Sequence, residues 1–410
     1  MSKYAVYGAP IAQLASALEK TPTPITFRKL LTHGRAGVPT AQDELHRSAQ
    51  YTMRELPVRL ARRVRQFYSL PFLIGSNPWI QRVARLYASS FAQLANVAEK
   101  GSQMSNDQFA ATLQRLVDDH AENVPTLARG FMECHEYIDA DNTTRFLNAA
   151  LHSRIGIRII AEQHLALTAS AAEKKHTDAQ PTRYQQTPTS VGIIETCMRP
   201  ADVVRQSAEY VRHVCEATFD MAPDLVVEGD VDVATVGIPV HLDYVMTELL
   251  KNSFRATAEA YLARGRVGPI PPIAVTLSSS ESQLCIRIRD EGGGIARENF
   301  PQIFSYAFTT AMEDGCETPG GANSASMDPM DPAGDAMQSS MGTLAGLGYG
   351  LPLSRLYLAY FGNSDLDIVS LPGHATSEAC VNFLVALALL ETLAVVLCTL
   401  EQDDAEKREG

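Results

Sequence analysis

The chain has 410 residues, 45% of them hydrophobic and 20% charged. That is the composition of a soluble globular protein of two to three domains, and it excludes a disordered, collagenous or disulfide-scaffolded chain. The net charge of -12 is unevenly spread: residues 1–100 carry 14 Lys or Arg against 5 Asp or Glu, a surplus of +9, so the other 310 residues carry -21. A basic first part on an acidic chain points to an acidic partner rather than to general affinity for nucleic acid.

Seven cysteines, at 134, 197, 215, 285, 316, 380 and 398, form no Cys-x-x-Cys pair and are odd in number, which argues for free thiols in a reducing compartment. Neither a secretory signal nor an arginine-rich transit peptide is legible in the first 20 residues. Residues 26–170 read as helices joined by short breaks. Leu56, Leu60, Val64 and Phe67 make one apolar stripe, with Arg59, Arg62, Arg63 and Arg65 expected on the rest of that helix, and Leu147, Leu151, Ile155 and Ile159 repeat the pattern. A helical bundle follows. Residues 171–190 are polar and aperiodic, as a linker would be.

Mixed α/β texture then begins. Ile273, Val275 and Leu277 alternate with polar neighbours, as do Leu284, Ile286 and Ile288, so two half-buried strands are expected. Residues 313–345, rich in Gly, Met, Asp, Ser and Pro, are too long for an ordinary connection and suggest a lid. The apolar run Ala379 to Leu400 carries Asn382 and Glu391, which favours a last core strand and a packed helix over a membrane span.

Three constellations carry chemistry. On the helix expected over 242–259, Leu242, Val245, Met246 and Leu249 give the buried stripe, while Glu248, Asn252, Arg255 and Glu259 line a separate face. A carboxylate and a carboxamide one turn apart can supply oxygen to a hard cation, and the carboxylate can take a proton; the same pattern alone also fits a solvated helix face. Asp290 follows a strand and shares the face of Ile286 and Ile288, so it should point inward, where a donor such as a purine amino group would satisfy it. Gly292, Gly293 and Gly294 then permit close backbone approach, although an ordinary glycine turn reads the same way. Finally, Gly346, Gly348 and Gly350 precede a helix with the stripe Leu353, Leu356, Tyr357 and Tyr360, a loop type whose N–H groups bind phosphate. A dinucleotide fingerprint is the competing reading, with Asp365 and Asp367 downstream, but no strand leads into this loop.

In this order the three motifs resemble the N, G1 and G2 boxes of the GHKL (Bergerat-fold) ATPases. More of the chain, from about residue 25 to 373, is similar to the mitochondrial α-ketoacid dehydrogenase kinases, through Tyr68–Pro78 (YSLPFLIGSNP), Val117–His120 (VDDH), Ser153–Arg158 (SRIGIR), His164–Leu167 (HLAL) and Phe308–Ala311 (FTTA). The resemblance implies an α+β two-domain protein: an N-terminal extension (1–25), a four-helix bundle that docks the target (26–170), the linker (171–190), a GHKL α/β sandwich ATPase domain (191–385) with its lid at 313–345, and a tail (386–410). It implies a serine kinase that inactivates the E1α subunit of an α-ketoacid dehydrogenase complex in the mitochondrial matrix, with docking on an E2 lipoyl domain, a homodimer, and neither nucleic-acid nor membrane binding.

By the same resemblance Glu248 orients or deprotonates the acceptor serine, Asn252 binds Mg²⁺ and Asp290 reads adenine. Arg255, Gly292, Gly294, Thr309, Thr310 and Thr376 lie by the ATP, and Gly346, Gly348, Tyr349, Gly350 and Leu351 cradle its phosphates. A K⁺ ion would sit on backbone oxygens of Ile303, Ser305 and Phe308, and His120 would serve the bundle's structure. Leu242–Tyr244, Asp290–Glu291, FTTA and SRIGIR lean to the branched-chain enzyme; Leu351–Tyr357 and Tyr360–Phe361 lean to the pyruvate enzyme, whose C-terminal Asp-Trp element is missing, since the one tryptophan is Trp79. Gly373–Ser377 departs from the family's Gly-x-Gly-Thr-Asp turn, which puts the last strand in doubt. Two other readings are a protein-histidine kinase, from His135–Glu136, and a non-catalytic ATP-gated interaction protein.

Overall fold

The computed structural model describes residues 9–34, 41–100, 105–173, 187–280, 283–306, 308, 348–361, 364–370 and 377–384. The lid at 313–345, the tail, and the site candidates Thr309, Thr310, Gly346 and Thr376 lie outside the described residues. The chain divides into two compact units, one of residues 1–193 with 298–360, the other of 194–297 with 361–410.

In the first unit the helices are α1 (Ile11–Glu19), α2 (Phe27–Gly34), α3 (Ala41–Tyr68), α4 (Phe72–Gly75), α5 (Pro78–Lys100), α6 (Asn106–Asp119), α7 (Asn123–Glu133) and α8 (Ala140–Glu173). The long helices α3, α5 and α8 pack with α6 and α7, which follow one another through the turn at His120 and together supply the fourth member of the bundle. Leu56, Leu60, Val64 and Phe67 of α3 and Leu147, Leu151, Ile155 and Ile159 of α8 are all buried, as their spacing predicts. The capping box at Ser105, whose hydroxyl accepts from the Gln108 amide while the Gln108 side chain accepts from the Ser105 amide, fixes where α6 starts. Residues ahead of 26, expected as an extension, pack on the bundle: Leu14 is buried, and the Thr23 carbonyl accepts from Arg59 Nη2 at 2.5 Å.

The bundle interior departs from the simple apolar expectation. Arg63, placed by its spacing among the surface arginines, is buried and donates to the Ala149 carbonyl. Arg158 and Glu162, one turn apart, form a buried ion pair at 2.7 Å. His120 lies between Ser90 at 2.8 Å and Asn123 at 2.7 Å, with the Tyr87 ring edge-on at 4.6 Å. Burial, and then the nearby guanidinium groups of Arg154 and Arg158, push its pKa down to about 3, so the ring is neutral and part of the packing. His135 stands in a single exposed turn with its Nδ1 at 3.0 Å from the Met132 carbonyl, a local contact with its own backbone.

The second unit contains β2 (Ile194–Met198), which follows β1 (Ser190–Val191), then α9 (Pro200–Phe219), β3 (Leu225–Gly229), β4 (Thr235–Gly237), α10 (Pro239–Ala263), β5 (Ile273–Ser279) and β6 (Gln283–Asp290). Among the described residues, α11 (Gly350–Ala359) also belongs to the first unit, and β7 (Ser364–Ser370) and β8 (Ser377–Leu384) to the second. Five strands form a mixed sheet in the order β3-β5-β6-β8-β7, with β3 parallel to β5 and the other pairs antiparallel. Helices α9 and α10 pack against each other and on the sheet, making the two-layer α/β sandwich. Despite the altered residues at 373–377, β8 pairs with β6 along its whole length, from Ser377 opposite Asp290 to Leu384 opposite Gln283. No helix among the described residues is long and apolar enough to cross a membrane. Cys134, Cys197, Cys215 and Cys285 are free thiols.

Candidate functional site

Helix α10 begins after Ile238 with Pro239 at its first position, where the missing N–H costs nothing. Its inner face is Leu242, Val245, Met246 and Leu249, continued by Ser253, Phe254 and Thr257. That burial leaves Asn252 exposed and Glu248 only 13% exposed on the opposite side. Glu248 Oε1 lies 2.6 Å from Lys251 Nζ, and Arg255 Nε lies 2.7 Å from Glu259 Oε1. Both pairs hold their carboxylates on the outer face; Lys251 is not part of the motif, but its spacing of three from Glu248 is the sequence signal for this pair. Asp243 at the start of the helix accepts from the Ser207 hydroxyl at 2.6 Å, and burial raises its carboxyl pKa above the usual range.

Strand β6 shows the alternation its sequence predicts, with Leu284, Ile286, Ile288 and Asp290 inward. Asp290 is 6% exposed, and its Oδ1 accepts from the Gly292 amide at 2.9 Å, which turns the chain back on itself. Gly292 has no room for a side chain: a Cβ there would collide with the Cβ of Ala256 and lie 2.9 Å from that residue's backbone carbon. This close approach fastens the loop after β6 to α10 one turn beyond Asn252, so the first two constellations share one neighbourhood of this unit. Gly294, at φ 81°, carries the loop onward, and the Ile295 amide donates to Ser370 Oγ of β7 at 2.6 Å. Ser370 has no local sequence signal, because its partner is 75 residues away.

The third constellation lies in the other unit. Gly348 is left-handed at φ 74°, Tyr349 is buried at 2% exposure, and Gly350 and Leu351 open α11, whose buried face is Pro352, Leu353, Ser354, Tyr357 and Leu358. Leu356 and Tyr360 of the expected stripe are half-buried. Residues Ile303, Ser305 and Phe308 are in the same unit, just after a single 3₁₀ turn at Phe300–Gln302; the Ser305 amide donates to the Gln302 carbonyl at 2.8 Å.

The donor set fits a metal delivered with its ligand. Among the described residues no group of three or more His, Cys, Asp or Glu is arranged to hold a metal ion by itself. Asn252 offers one exposed carbonyl oxygen, and Mg²⁺ commonly completes its octahedron with phosphate oxygens and water.

Sheet, paired helices, inward strand-end carboxylate and glycine loop define a GHKL-type ATP-binding fold joined to a helical bundle. Two family models match accordingly: mitochondrial branched-chain alpha-ketoacid dehydrogenase kinase over residues 24–195, and histidine kinase-, DNA gyrase B- and HSP90-like ATPase over residues 237–387. The chain is 32% identical over 358 residues to the mitochondrial [pyruvate dehydrogenase (acetyl-transferring)] kinase of Arabidopsis thaliana, covering 86% of this chain and 88% of that one. It is 31% identical over 369 residues to isozyme 3 of the human mitochondrial enzyme, covering 87% and 81%, and 28% identical over 374 residues to human isozyme 1, covering 87% and 76%. The chain belongs to the mitochondrial α-ketoacid dehydrogenase kinase family of the GHKL superfamily, and is an ATP-dependent protein kinase.

Proposed function

We propose that this kinase transfers the γ-phosphoryl group of Mg-ATP to a serine of the E1α subunit of an α-ketoacid dehydrogenase complex in the mitochondrial matrix, and so inactivates it. The observation that carries the reading is the pairing of Asp290, buried at the end of β6, with the α10 face that holds the half-buried Glu248 and the exposed Asn252, against the same loop. In this reading Asp290 accepts from the adenine amino group, with Gly292, Gly294, Arg255, Thr309, Thr310 and Thr376 around the nucleotide. Asn252 holds Mg²⁺, which neutralises phosphate charge when bound. Gly346 to Leu351 donate N–H groups at the head of α11. Glu248, fixed by Lys251, orients the acceptor hydroxyl or takes its proton. Ile303, Ser305 and Phe308 offer backbone oxygens, the ligand type that suits K⁺.

The bundle is proposed to dock an E2 lipoyl domain, and the kinase to act as a homodimer. The +9 surplus of the first hundred residues would steer an acidic docking domain, so binding should weaken as ionic strength rises. Substrate preference is proposed to be branched-chain, on the residues at 242–244, 290–291 and 308–311 and the bundle match. The pyruvate complex is the second reading, favoured by the relatives matched over most of their length. Incubation with purified branched-chain and pyruvate dehydrogenase complexes and labelled Mg-ATP decides both points. Acid-stable phosphoserine on E1α, faster on the branched-chain complex, is the expected result; acid-labile phosphate on the kinase itself, or no transfer to either complex, would overturn the reading.

A further inference from the structure

The apolar stripe of α8 accounts for Leu147, Leu151, Ile155 and Ile159, but not for a second row one residue further round: Asn148, His152 and Gly156, also four apart. All three meet one of two tyrosines that flank the glycine loop in sequence, Tyr306 and Tyr360. At the near end, the Tyr306 hydroxyl donates to Asn148 Oδ1, and the Tyr306 ring packs on Tyr349, at 5.0 Å between centroids and 49° between planes. At the far end, the Tyr360 ring lies 4.8 Å from the His152 ring, and its hydroxyl rests over Gly156. A Cβ built on Gly156 would collide with that hydroxyl, and would lie 3.2 Å from Tyr360 Cζ and 3.3 Å from Arg59 Nη1. Arg59 also hydrogen-bonds Tyr360, and partial burial pushes its phenol up to about 12, so it stays neutral.

The spans are comparable. Asn148 and Gly156 are eight steps apart on α8, about 12 Å, and the ten residues of α11 cover about 15 Å, so the helix can be held at both ends along one face of α8. Glycine inside a helix is unfavourable relative to alanine, so Gly156 needs a local reason, and the Tyr360 hydroxyl supplies it.

We propose that Tyr306 and Tyr360 are positioning residues that mount Gly348 to Leu351, the end of the glycine loop that leads into α11, on α8, with Asn148 and Gly156 as their two seats, so that nucleotide affinity depends on a helix of the bundle. The proposal rests on the reading of Gly346 to Leu351 as the phosphate loop. Tyr349 then serves through its ring, which locks the loop to Tyr306, and not only through its backbone.

The test is Mg-ADP titration of the full-length kinase, paired with steady-state kinetics and thermal melting. Gly156→Ala should weaken Mg-ADP binding about ten-fold and raise the KM for ATP by a similar factor, with kcat changed less than two-fold. Adding Tyr360→Phe, which removes the atom that the new Cβ strikes, should restore most of the affinity. Tyr306→Phe, which keeps the ring and deletes the bond to Asn148, should weaken binding about three-fold and keeps the idea testable if Gly156→Ala does not fold. Unchanged Mg-ADP affinity in both single variants, or a loss in Gly156→Ala that Tyr360→Phe does not relieve, would overturn the mount. Failure of the parent chain to bind Mg-ADP would instead overturn the functional reading beneath it.

Discussion

The two units bury polar groups to different ends. In the bundle, Glu55, Arg63, His120, Arg154, Arg158, Glu162 and His164 are all buried. Several of them satisfy one another: Arg158 with Glu162, His120 with Ser90 and Asn123, and His164 with Ser48 at 3.0 Å. In the α/β unit the fully buried polar residues among those described are Ser207, His241, Ser253, Thr257 and Asp290; Asp290 is the one acid among them, while Asp243 is half-buried and paired with Ser207. It sits where β6 ends and the glycine loop turns toward α10, not in the middle of a packed layer. Polar burial thus specifies the bundle's packing in one place and, in the function proposed above, prepares a recognition group in the other, so substitutions in the two regions should separate stability from nucleotide binding.

The largest effect should come from Asn252→Ala, which removes the side chain proposed to hold Mg²⁺: nucleotide affinity should fall below detection by calorimetry while the melting temperature of the ligand-free protein is unchanged. Glu248→Gln should bind Mg-ATP normally yet lose 10²-fold or more in kcat, read by phosphate transfer to the proposed E1α substrate; near-normal turnover would remove Glu248 from the chemistry. In the bundle the sign reverses. Glu162→Ala strands Arg158 in the interior and should destabilise the protein by about 3–5 kcal/mol in chemical denaturation. Glu162→Gln, which keeps a hydrogen-bond acceptor, should cost less.

Acid gives the smallest effect, and again it belongs to the bundle. Burial holds His120 at about 3 and His164 at about 4, well below an ordinary imidazole. An unfolded chain therefore binds these protons first, so the stability they contribute is complete above about pH 6.5 and is lost as the pH falls below it. Between pH 6.5 and 5 each ring should cost about 2 kcal/mol. His120→Asn should flatten the slope of stability against pH in urea titrations, whereas an unchanged slope would show that the ring is protonated in the folded bundle.

Much of this contrast is legible in the sequence. The inward direction of Asp290 follows from period-two alternation through Leu284, Ile286 and Ile288, and the outer face of α10 from the spacing of its apolar residues. Legibility stops where a residue's partner is distant in sequence. Arg63 reads as one more surface arginine, because the Ala149 carbonyl that receives it lies 86 residues on. Asn148, His152 and Gly156 look like the polar edge of an amphipathic helix until Tyr306 and Tyr360 are placed against them. Residues 9–25 have too weak a pattern to predict the packing of Leu14 on the bundle.

The claim that polar burial serves recognition in the α/β unit is tested most directly by thermal melting of the parent chain and Asp290→Ala, each with and without saturating Mg-ADP. Mg-ADP should raise the parent's melting temperature by several degrees and leave Asp290→Ala unmoved, with both proteins folded without ligand. An equal upward shift in the two proteins would contradict that claim.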